Sequence, residues 1–167
     1  VTSEDIKLAQ EIQDSFITEY FRVYTNSDVI GVEIGTSVKN VIAIAAGISD
    51  GLGFGDNSKA ALITRGLAEM MRLGVAMGSQ RDTFSGLTGL GDLITTCVSP
   101  YGRNRLVGEL IAKGKKLSQV LDEMNQTAEG ILTTKSVCKL ARKYNIEMPI
   151  TNEIFNVLYK DKDPRTA

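Results

Sequence analysis

The sequence predicts a mainly all-α fold with two short strands near its N-terminus. From Ile34 onward, apolar residues recur almost throughout at the three- to four-residue spacing of amphipathic helices. Glycines and a proline stand where these periodic segments stop or start, as expected at helix ends. Only two runs, both before residue 33, have the β-branched and aromatic composition of strands. The sequence therefore divides into an N-terminal part, 1–30, and a helical domain, 31–167.

The N-terminal part is predicted to begin with a helix. Thr2-Ser3-Glu4-Asp5 offers a hydroxyl cap followed by carboxylates, and apolar residues then recur at helical spacing as far as Tyr20. Residues 21–25 and 28–32 are the two predicted strands. No later segment has the pattern of a sheet that would hold them, so we expect their partners in sequence outside this chain. The absence of an initiator Met likewise indicates an excised piece of a longer protein.

The helical domain is predicted to contain seven helices. They lie near 34–49, 57–77, 82–97, 103–113, 117–124, 129–144 and 150–160. Gly78 and Gly114 stand at C-terminal ends, and Pro149 opens the last helix. The glycines between residues 51 and 55 follow a helix and lack the G-x-G-x-x-G spacing. We interpret them as a turn and not as a dinucleotide-binding loop.

Composition excludes several classes of function. With 19 basic and 20 acidic residues, the chain has no broad positive field to hold nucleic acid or an anionic membrane. The longest apolar run, 41–46, is far short of the ~20 residues that span a bilayer, so no membrane insertion is expected. The chain has no histidine, and Cys97 and Cys138 are too far apart for a metal knuckle, so no metal site is expected. Two cysteines without a secretion signal indicate a cytoplasmic setting.

One lysine stands in an otherwise apolar helix. The segment from Ile34 to Gly47 is small and apolar except for Lys39 and Asn40 in its middle. Lys39 could extend its ammonium to the surface along an exposed stripe. It could also face a partly dry cleft, where desolvation lowers the pKa of a lysine from ~10.4 and allows it to donate and accept protons. The residues alone leave both interpretations open.

Two further polar groups stand near helix starts. Asp92 and Thr96 are four residues apart, which places them on one helical face, where both could reach one polar ligand. The alternative is a first-turn acid at Asp92 and a hydroxyl bonded to the backbone at Thr96. Arg103 and Asn104 open a helix after Gly102, where free backbone N–H groups favour an anion such as phosphate. Solvated arginines are also common at helix starts, so spacing alone does not decide.

Six short motifs occur in a fixed order along the chain. They are Phe21-Arg22-Val23-Tyr24, Asp28-Val29-Ile30-Gly31-Val32-Glu33, Val38-Lys39-Asn40-Val41, Gly51-Leu52-Gly53-Phe54-Gly55-Asp56-Asn57, Gly91-Asp92-Leu93-Ile94-Thr95-Thr96-Cys97 and Arg103-Asn104-Arg105. The ordered set resembles the C-terminal domain of NAD(P)-dependent glycerol-3-phosphate dehydrogenases, nearer the bacterial type, over the whole chain. The resemblance implies a multi-helix C-terminal dehydrogenase domain of the 6-phosphogluconate dehydrogenase type. The two strands would then be left from a missing Rossmann domain.

The resemblance also implies roles for individual residues. The missing Rossmann domain would hold NAD or NADP, and Lys39 would be the catalytic proton donor and acceptor, in contact with substrate. The other implied substrate-binding residues are Asn40, Asp92, Thr96, Gly102, Arg103 and Asn104, of which Arg103 and Asn104 bind the phosphate. The implied cofactor contacts are Arg103, Thr127 and Glu129. Bacterial relatives commonly have Ser where Gly102 stands, so a hydroxyl contact to phosphate is lost, although the backbone N–H can still donate.

The implied reaction is reversible hydride transfer between glycerol 3-phosphate and the nicotinamide, giving dihydroxyacetone phosphate. The implied physiological role of the enzyme is to supply the backbone of glycerophospholipids. The domain is expected to be inactive without its own Rossmann domain, and a homodimer stays open. Two alternatives remain: a non-catalytic helical dimerisation or interaction module, and the helical domain of a related hydroxy-acid dehydrogenase. The phosphate pair of Arg103 and Asn104 argues against the second. The choice of NAD over NADP depends on a loop outside this chain.

Overall fold

The computed structural model describes residues 1–124 and 126–167, and in them the chain forms eight α-helices and no sheet. The helices are α1 (Ile6–Phe16), α2 (Val29–Gly51), α3 (Asp56–Ala76), α4 (Asp92–Val98), α5 (Arg103–Ala112), α6 (Leu117–Glu123), α7 (Glu129–Tyr144) and α8 (Pro149–Tyr159). The predicted mainly α-helical fold is confirmed. From residue 57 onward, the predicted helices agree to within one residue at each end, except for the segment 82–97.

Helix α2 is the centre of the fold and contacts α3, α4, α5, α7 and α8. Its 23 residues are small and apolar on nearly every side, and 13 of them are buried. A helix with this composition is stable only when other elements surround it. By length and composition α2 could also cross a membrane, but 56% of its most apolar window is buried inside the fold, as in a core helix.

Helices α2 and α5 cross with their backbones in contact. A Cβ at Gly47 would lie 1.9 Å from the carbonyl oxygen of Arg105, and a Cβ at Gly108 would lie 2.1 Å from the carbonyl oxygen of Ile44. Glycine is therefore required on both helices, because any side chain there would force them apart. This close crossing fixes α5 directly on the helix that carries Lys39 and Asn40.

The two predicted strands are wrong. Residues 29–32 form the first turn of α2, and residues 21–25 form no strand; the nearest pairing is a single parallel bridge between Thr2 and Asn26. The Asp28 carboxylate accepts a hydrogen bond from the Gly31 N–H at 2.9 Å and so caps α2. This cap overrides the local β propensity of the run 28–32. Helix α1 also ends at Phe16, earlier than its apolar pattern predicts.

Asp28 also ties α2 to the segment that follows α3. Its side chain is buried and accepts hydrogen bonds from Ser79 Oγ at 2.8 Å, the Gln80 N–H at 2.8 Å and Thr83 Oγ1 at 2.6 Å. Burial raises the pKa of Asp28, but the four hydrogen bonds together lower it by more than burial raises it. The pKa therefore lies below its ordinary value of 3.8. The carboxylate is thus held in its charged form.

The segment 82–97 is not the single helix predicted. It contains a 3₁₀ turn at Arg81–Ser85, a π-helical turn at Leu87–Gly91 and then α4. A Cβ at Gly89 would lie 2.1 Å from the Phe84 carbonyl oxygen, so the two turns pack backbone to backbone. Turns of the π type occur often at functional sites, and this one leads directly into Asp92.

Candidate active site

Lys39 and Asp92 form an ion pair between α2 and α4. Lys39 Nζ lies 2.5 Å from Asp92 Oδ2, and the two side chains are 19% and 32% exposed. The residues are 53 positions apart, and the sequence singled out each one without indicating that they meet. The ammonium does not extend freely into solvent. It is held at a fixed point where a ligand can reach it.

Thr96 lies one turn after Asp92, as its spacing predicts. Its hydroxyl donates to the Asp92 carbonyl oxygen at 2.6 Å, and Oγ1 lies 3.5 Å from Asp92 Oδ1. The backbone-bonded alternative is therefore the one observed for the Thr96 proton. The oxygen lone pairs can still accept a hydrogen bond from a ligand hydroxyl.

A chain of side-chain amides links α2, α5 and α7. Asn104 Nδ2 donates to Asn40 Oδ1 at 2.9 Å, and Asn104 Oδ1 accepts from the Gly130 N–H at 2.9 Å. Asn40 Nδ2 in turn donates to the Thr36 carbonyl oxygen at 3.1 Å. Each amide nitrogen carries two protons, so each asparagine keeps one donor for a ligand. Because their other groups are bonded, both remaining donors are held in fixed directions.

Gly130 belongs to this network, and the sequence analysis missed it. A Cβ there would lie 2.6 Å from the Asn40 carbonyl oxygen and 2.7 Å from Asn104 Oδ1. Only glycine therefore allows the first turn of α7 to come this close to both asparagines. The one signal in the sequence was a glycine in the first turn of a helix, where its low helix propensity needs a reason.

Arg103 is exposed at the first position of α5. Its Nη1 donates to the Thr127 carbonyl oxygen at 3.1 Å, and no ion pair within the described ranges involves it. The guanidinium keeps most of its five donors free for an anion. Helix geometry also leaves the first backbone N–H groups of α5 without partners inside the helix. The start of α5 therefore combines fixed positive charge with free backbone donors.

Gly102 precedes this turn, and its backbone N–H, which we expected to be available to a phosphate, already has a partner. That N–H donates to the Ser99 carbonyl oxygen at 3.2 Å, because the chain between α4 and α5 turns tightly. A Cβ at Gly102 would lie 3.3 Å from the same Ser99 oxygen. A serine here would need a shift of a few tenths of an ångström in its neighbours.

Thr127 and Glu129, the two remaining predicted cofactor contacts, are both exposed. Thr127 contacts Arg103 through its carbonyl oxygen, and its side chain is exposed. Glu129 is the first residue of α7, is exposed, and takes part in no ion pair of the described residues. Both are therefore open to a ligand or to another domain.

Helix α2 carries both the lysine that pairs with Asp92 and the asparagine that bonds Asn104 at the start of α5. The fold superposes on glycerol-3-phosphate dehydrogenase from Coxiella burnetii with a TM-score of 0.94, at 43% identity, over 99% of this chain and 51% of that chain. The corresponding enzyme of Saccharomyces cerevisiae gives a TM-score of 0.86 at 31% identity, over 94% of this chain and 46% of that chain.

Residues 28–167 match the family model described as "NAD-dependent glycerol-3-phosphate dehydrogenase C-terminus", and the chain belongs to that family. The match begins at the capping residue of α2. A curated relative from Lysinibacillus sphaericus, glycerol-3-phosphate dehydrogenase [NAD(P)+], is 58% identical over 98% of this chain and 48% of that protein. The relative from Bacillus subtilis is 56% identical over 99% of this chain and 48% of that protein. The chain thus spans about half the length of the curated relatives it matches.

Proposed function

We propose that this chain is the substrate-binding half of a glycerol-3-phosphate dehydrogenase that interconverts glycerol 3-phosphate and dihydroxyacetone phosphate by hydride transfer with NAD or NADP. The observation that carries the proposal is the fixed Lys39–Asp92 pair beside the Asn40–Asn104 amide pair. Family membership favours this function over a non-catalytic interaction module or a hydroxy-acid dehydrogenase domain. We propose that residues 1–30 are the tail end of a nucleotide-binding domain whose main part lies outside this chain, and that residues 31–167 are the substrate domain.

Lys39 is the proton donor in the reducing direction and the acceptor in the oxidising one. Its ammonium stabilises negative charge as it develops on the substrate oxygen, and then transfers a proton to that oxygen. Asp92 holds the ammonium through Oδ2, so that Lys39 does not have to be ordered when substrate arrives. Thr96 offers its lone pairs to a substrate hydroxyl from the neighbouring turn of α4.

The phosphate binds at the start of α5. Arg103 contributes a guanidinium, and Asn104 contributes its remaining amide donor. Asn40 offers its remaining amide donor to a substrate hydroxyl. The free backbone N–H groups of the first α5 turn add further donors to a bound anion. Gly102 takes part by letting the turn between α4 and α5 close tightly, since its own N–H is already bonded.

The exposed side of Arg103 fits a dinucleotide. Its guanidinium suits the negatively charged pyrophosphate, Thr127 lies beside it, and Glu129 offers an exposed polar group two residues further along the chain. When bound, the nicotinamide supplies the hydride acceptor or donor, and residues of this chain bind and orient the substrate. The proposal further includes a cytoplasmic protein without membrane insertion, a homodimeric state, and a role in supplying glycerophospholipid backbones.

The test separates chemistry from phosphate binding in the full-length enzyme. Lys39→Met should lower kcat by ~10²–10⁴-fold, the range for a positioned acid or base. Lys115→Met is the matched control, because Lys115 also pairs with a carboxylate, that of Glu123, but lies outside the proposed site. Arg103→Ala should raise KM for dihydroxyacetone phosphate by roughly 10- to 150-fold, the value of one charged hydrogen bond, and Arg103→Lys should recover only part of it.

Phosphate-free dihydroxyacetone completes the test. At saturating NADH or NADPH, wild type and Arg103→Ala should reduce it equally poorly, because the only substrate contact that is lost is to the phosphate. Near-wild-type kcat in Lys39→Met would show that another residue transfers the proton. An unchanged KM for dihydroxyacetone phosphate in Arg103→Ala would remove the phosphate site from the start of α5.

A further inference from the structure

We propose that Arg105 and Asp50 form a positioning pair that fixes the first turn of α5 on α2, and so sets the place of Arg103 and Asn104. The inference rests on the proposed function, since it concerns how the phosphate-binding residues are held. Arg105 belongs to the Arg103-Asn104-Arg105 motif, yet the substrate site described above does not use it.

The pair is close and largely shielded from water. Arg105 Nε and Nη2 each lie 2.7 Å from Asp50 Oδ2, and the side chains are 17% and 15% exposed. Lys59 of α3 binds the other carboxylate oxygen, Oδ1, at 2.7 Å. Glu109 binds Arg105 Nη2 at 2.7 Å from one turn along α5. The Nε and Nη2 donors of Arg105 are thereby bonded to carboxylates within the fold.

Neighbouring residues of α5 hold α2 at two separate places. Asn104 binds Asn40 in the middle of α2, whereas Arg105 binds Asp50 near its end. Ten residues of helix separate Asn40 from Asp50, which is about 15 Å along the axis. Sliding α5 in either direction along α2 would therefore lengthen one of these two bonds. Together with the backbone contact at Gly47, these two bonds fix the register of α5 on α2.

Arginine is required for this role. Its guanidinium donates from Nε and Nη2 to the single oxygen Oδ2 of Asp50, while Lys59 occupies Oδ1. A lysine would bring the charge to the same region without this planar pair of donors. Loss of the pair leaves the fold intact but lets the first turn of α5 move, so the expected effect falls on phosphate binding.

The experiment uses the full-length enzyme with Asp50→Asn and Arg105→Lys. Each should raise KM for dihydroxyacetone phosphate by about 3- to 30-fold while kcat stays within about threefold. Activity with phosphate-free dihydroxyacetone should stay at the wild-type level. Glu109→Gln is the control, since Glu109 binds the same guanidinium from α5 itself and cannot tie α5 to α2; its KM should be that of wild type.

Combination with Arg103→Ala separates positioning from general structural damage. If Arg105 acts through the phosphate-binding residues, Arg105→Lys should add little to KM once Arg103 is removed. Equal losses with both substrates, or full additivity with Arg103→Ala, would overturn the positioning role. If Arg103→Ala raises KM and neither Asp50→Asn nor Arg105→Lys does, this inference fails and the proposed function stands. If Arg103→Ala also has no effect, the proposed phosphate site at the start of α5 fails together with this inference.

Discussion

Replacing Gly130 by alanine tests whether the close approach of α7 organises the amide network. The new Cβ would meet the Asn40 carbonyl oxygen at 2.6 Å and Asn104 Oδ1 at 2.7 Å. These distances are about 0.8 Å short of ordinary van der Waals contact, and a packed interior does not absorb such a difference. The first turn of α7 must therefore move away, which takes the 2.9 Å bond from the Gly130 N–H to Asn104 Oδ1 to the limit of hydrogen bonding.

The size of the effect follows from these contacts. Overpacking costs about 1–3 kcal/mol and the weakened hydrogen bond about 1 kcal/mol, while alanine returns about 0.5–1 kcal/mol through its better helix propensity. The net loss in the free energy of unfolding should be about 1–3 kcal/mol. Asn104 also loses the bond that orients its amide, so KM for dihydroxyacetone phosphate should rise about 3- to 30-fold.

Two measurements check this expectation. Urea unfolding of this 167-residue chain gives the stability change, and steady-state kinetics of the full-length enzyme give KM. Gly55→Ala is the matched control, because Gly55 has a negative φ and nothing lies within 4 Å of its Cβ position. Gly55 is the N-cap of α3, so alanine there should cost no more than about 1 kcal/mol of stability and should leave KM unchanged. Wild-type stability and wild-type KM in Gly130→Ala would refute the claim that α7 packs tightly enough to orient Asn104.

Two further predictions concern the activity of this chain by itself and the stability that Asp28 provides. This chain alone should not oxidise NADH or NADPH with dihydroxyacetone phosphate, because we place the nucleotide-binding unit outside it; turnover by chain shown free of contaminating enzyme would contradict that. Asp28→Asn should reduce the free energy of unfolding by about 1–3 kcal/mol at neutral pH, since one buried acceptor oxygen is lost. The folded-state pKa of Asp28 lies below 3.8, so its stabilisation is present above that pH and is lost as pH falls through the folded-state pKa. The difference between variant and wild type should therefore shrink in acid, and a pH-independent difference in urea titrations would contradict this.

Helix positions in the second half of the chain could be predicted because the sequence marks their ends. Pro149 starts α8, and Gly78 and Gly114 adopt the positive φ that follows α3 and α5. The prediction of a strand at residues 28–32 was wrong, because it relied only on the local content of β-branched residues. The decisive interactions are the contacts of Asp28 with Ser79, Gln80 and Thr83, which come from residues about 50 positions away.

The candidate site was also predicted only in part: its residues were identified, but the contacts between them were not. The sequence analysis identified four polar residues on predicted helices as candidate site residues, each by itself: Lys39, Asp92, Arg103 and Asn104. It did not reveal the bond between Lys39 and Asp92, because that bond depends on how α4 is placed after a π-helical turn. Local spacing predicts neighbours on one helix, whereas pairs across helices depend on packing that no single segment encodes.

The backbone contact between α2 and α5 limits how this site can change its ligand. Helices that pack through side chains can be spread or tightened by exchanging a large residue for a small one, over separations of about 8–10 Å. At Gly47 and Gly108 the two backbones are in direct contact, with no side chains between them that could be exchanged for larger or smaller ones. The distance between Asn40 and Asn104 therefore cannot be adjusted in small steps. A descendant of this domain that accepted a longer or bulkier ligand would have to gain space elsewhere, at the tips of exposed side chains such as Arg103 or by moving the start of α7. The two crossing helices would stay where they are.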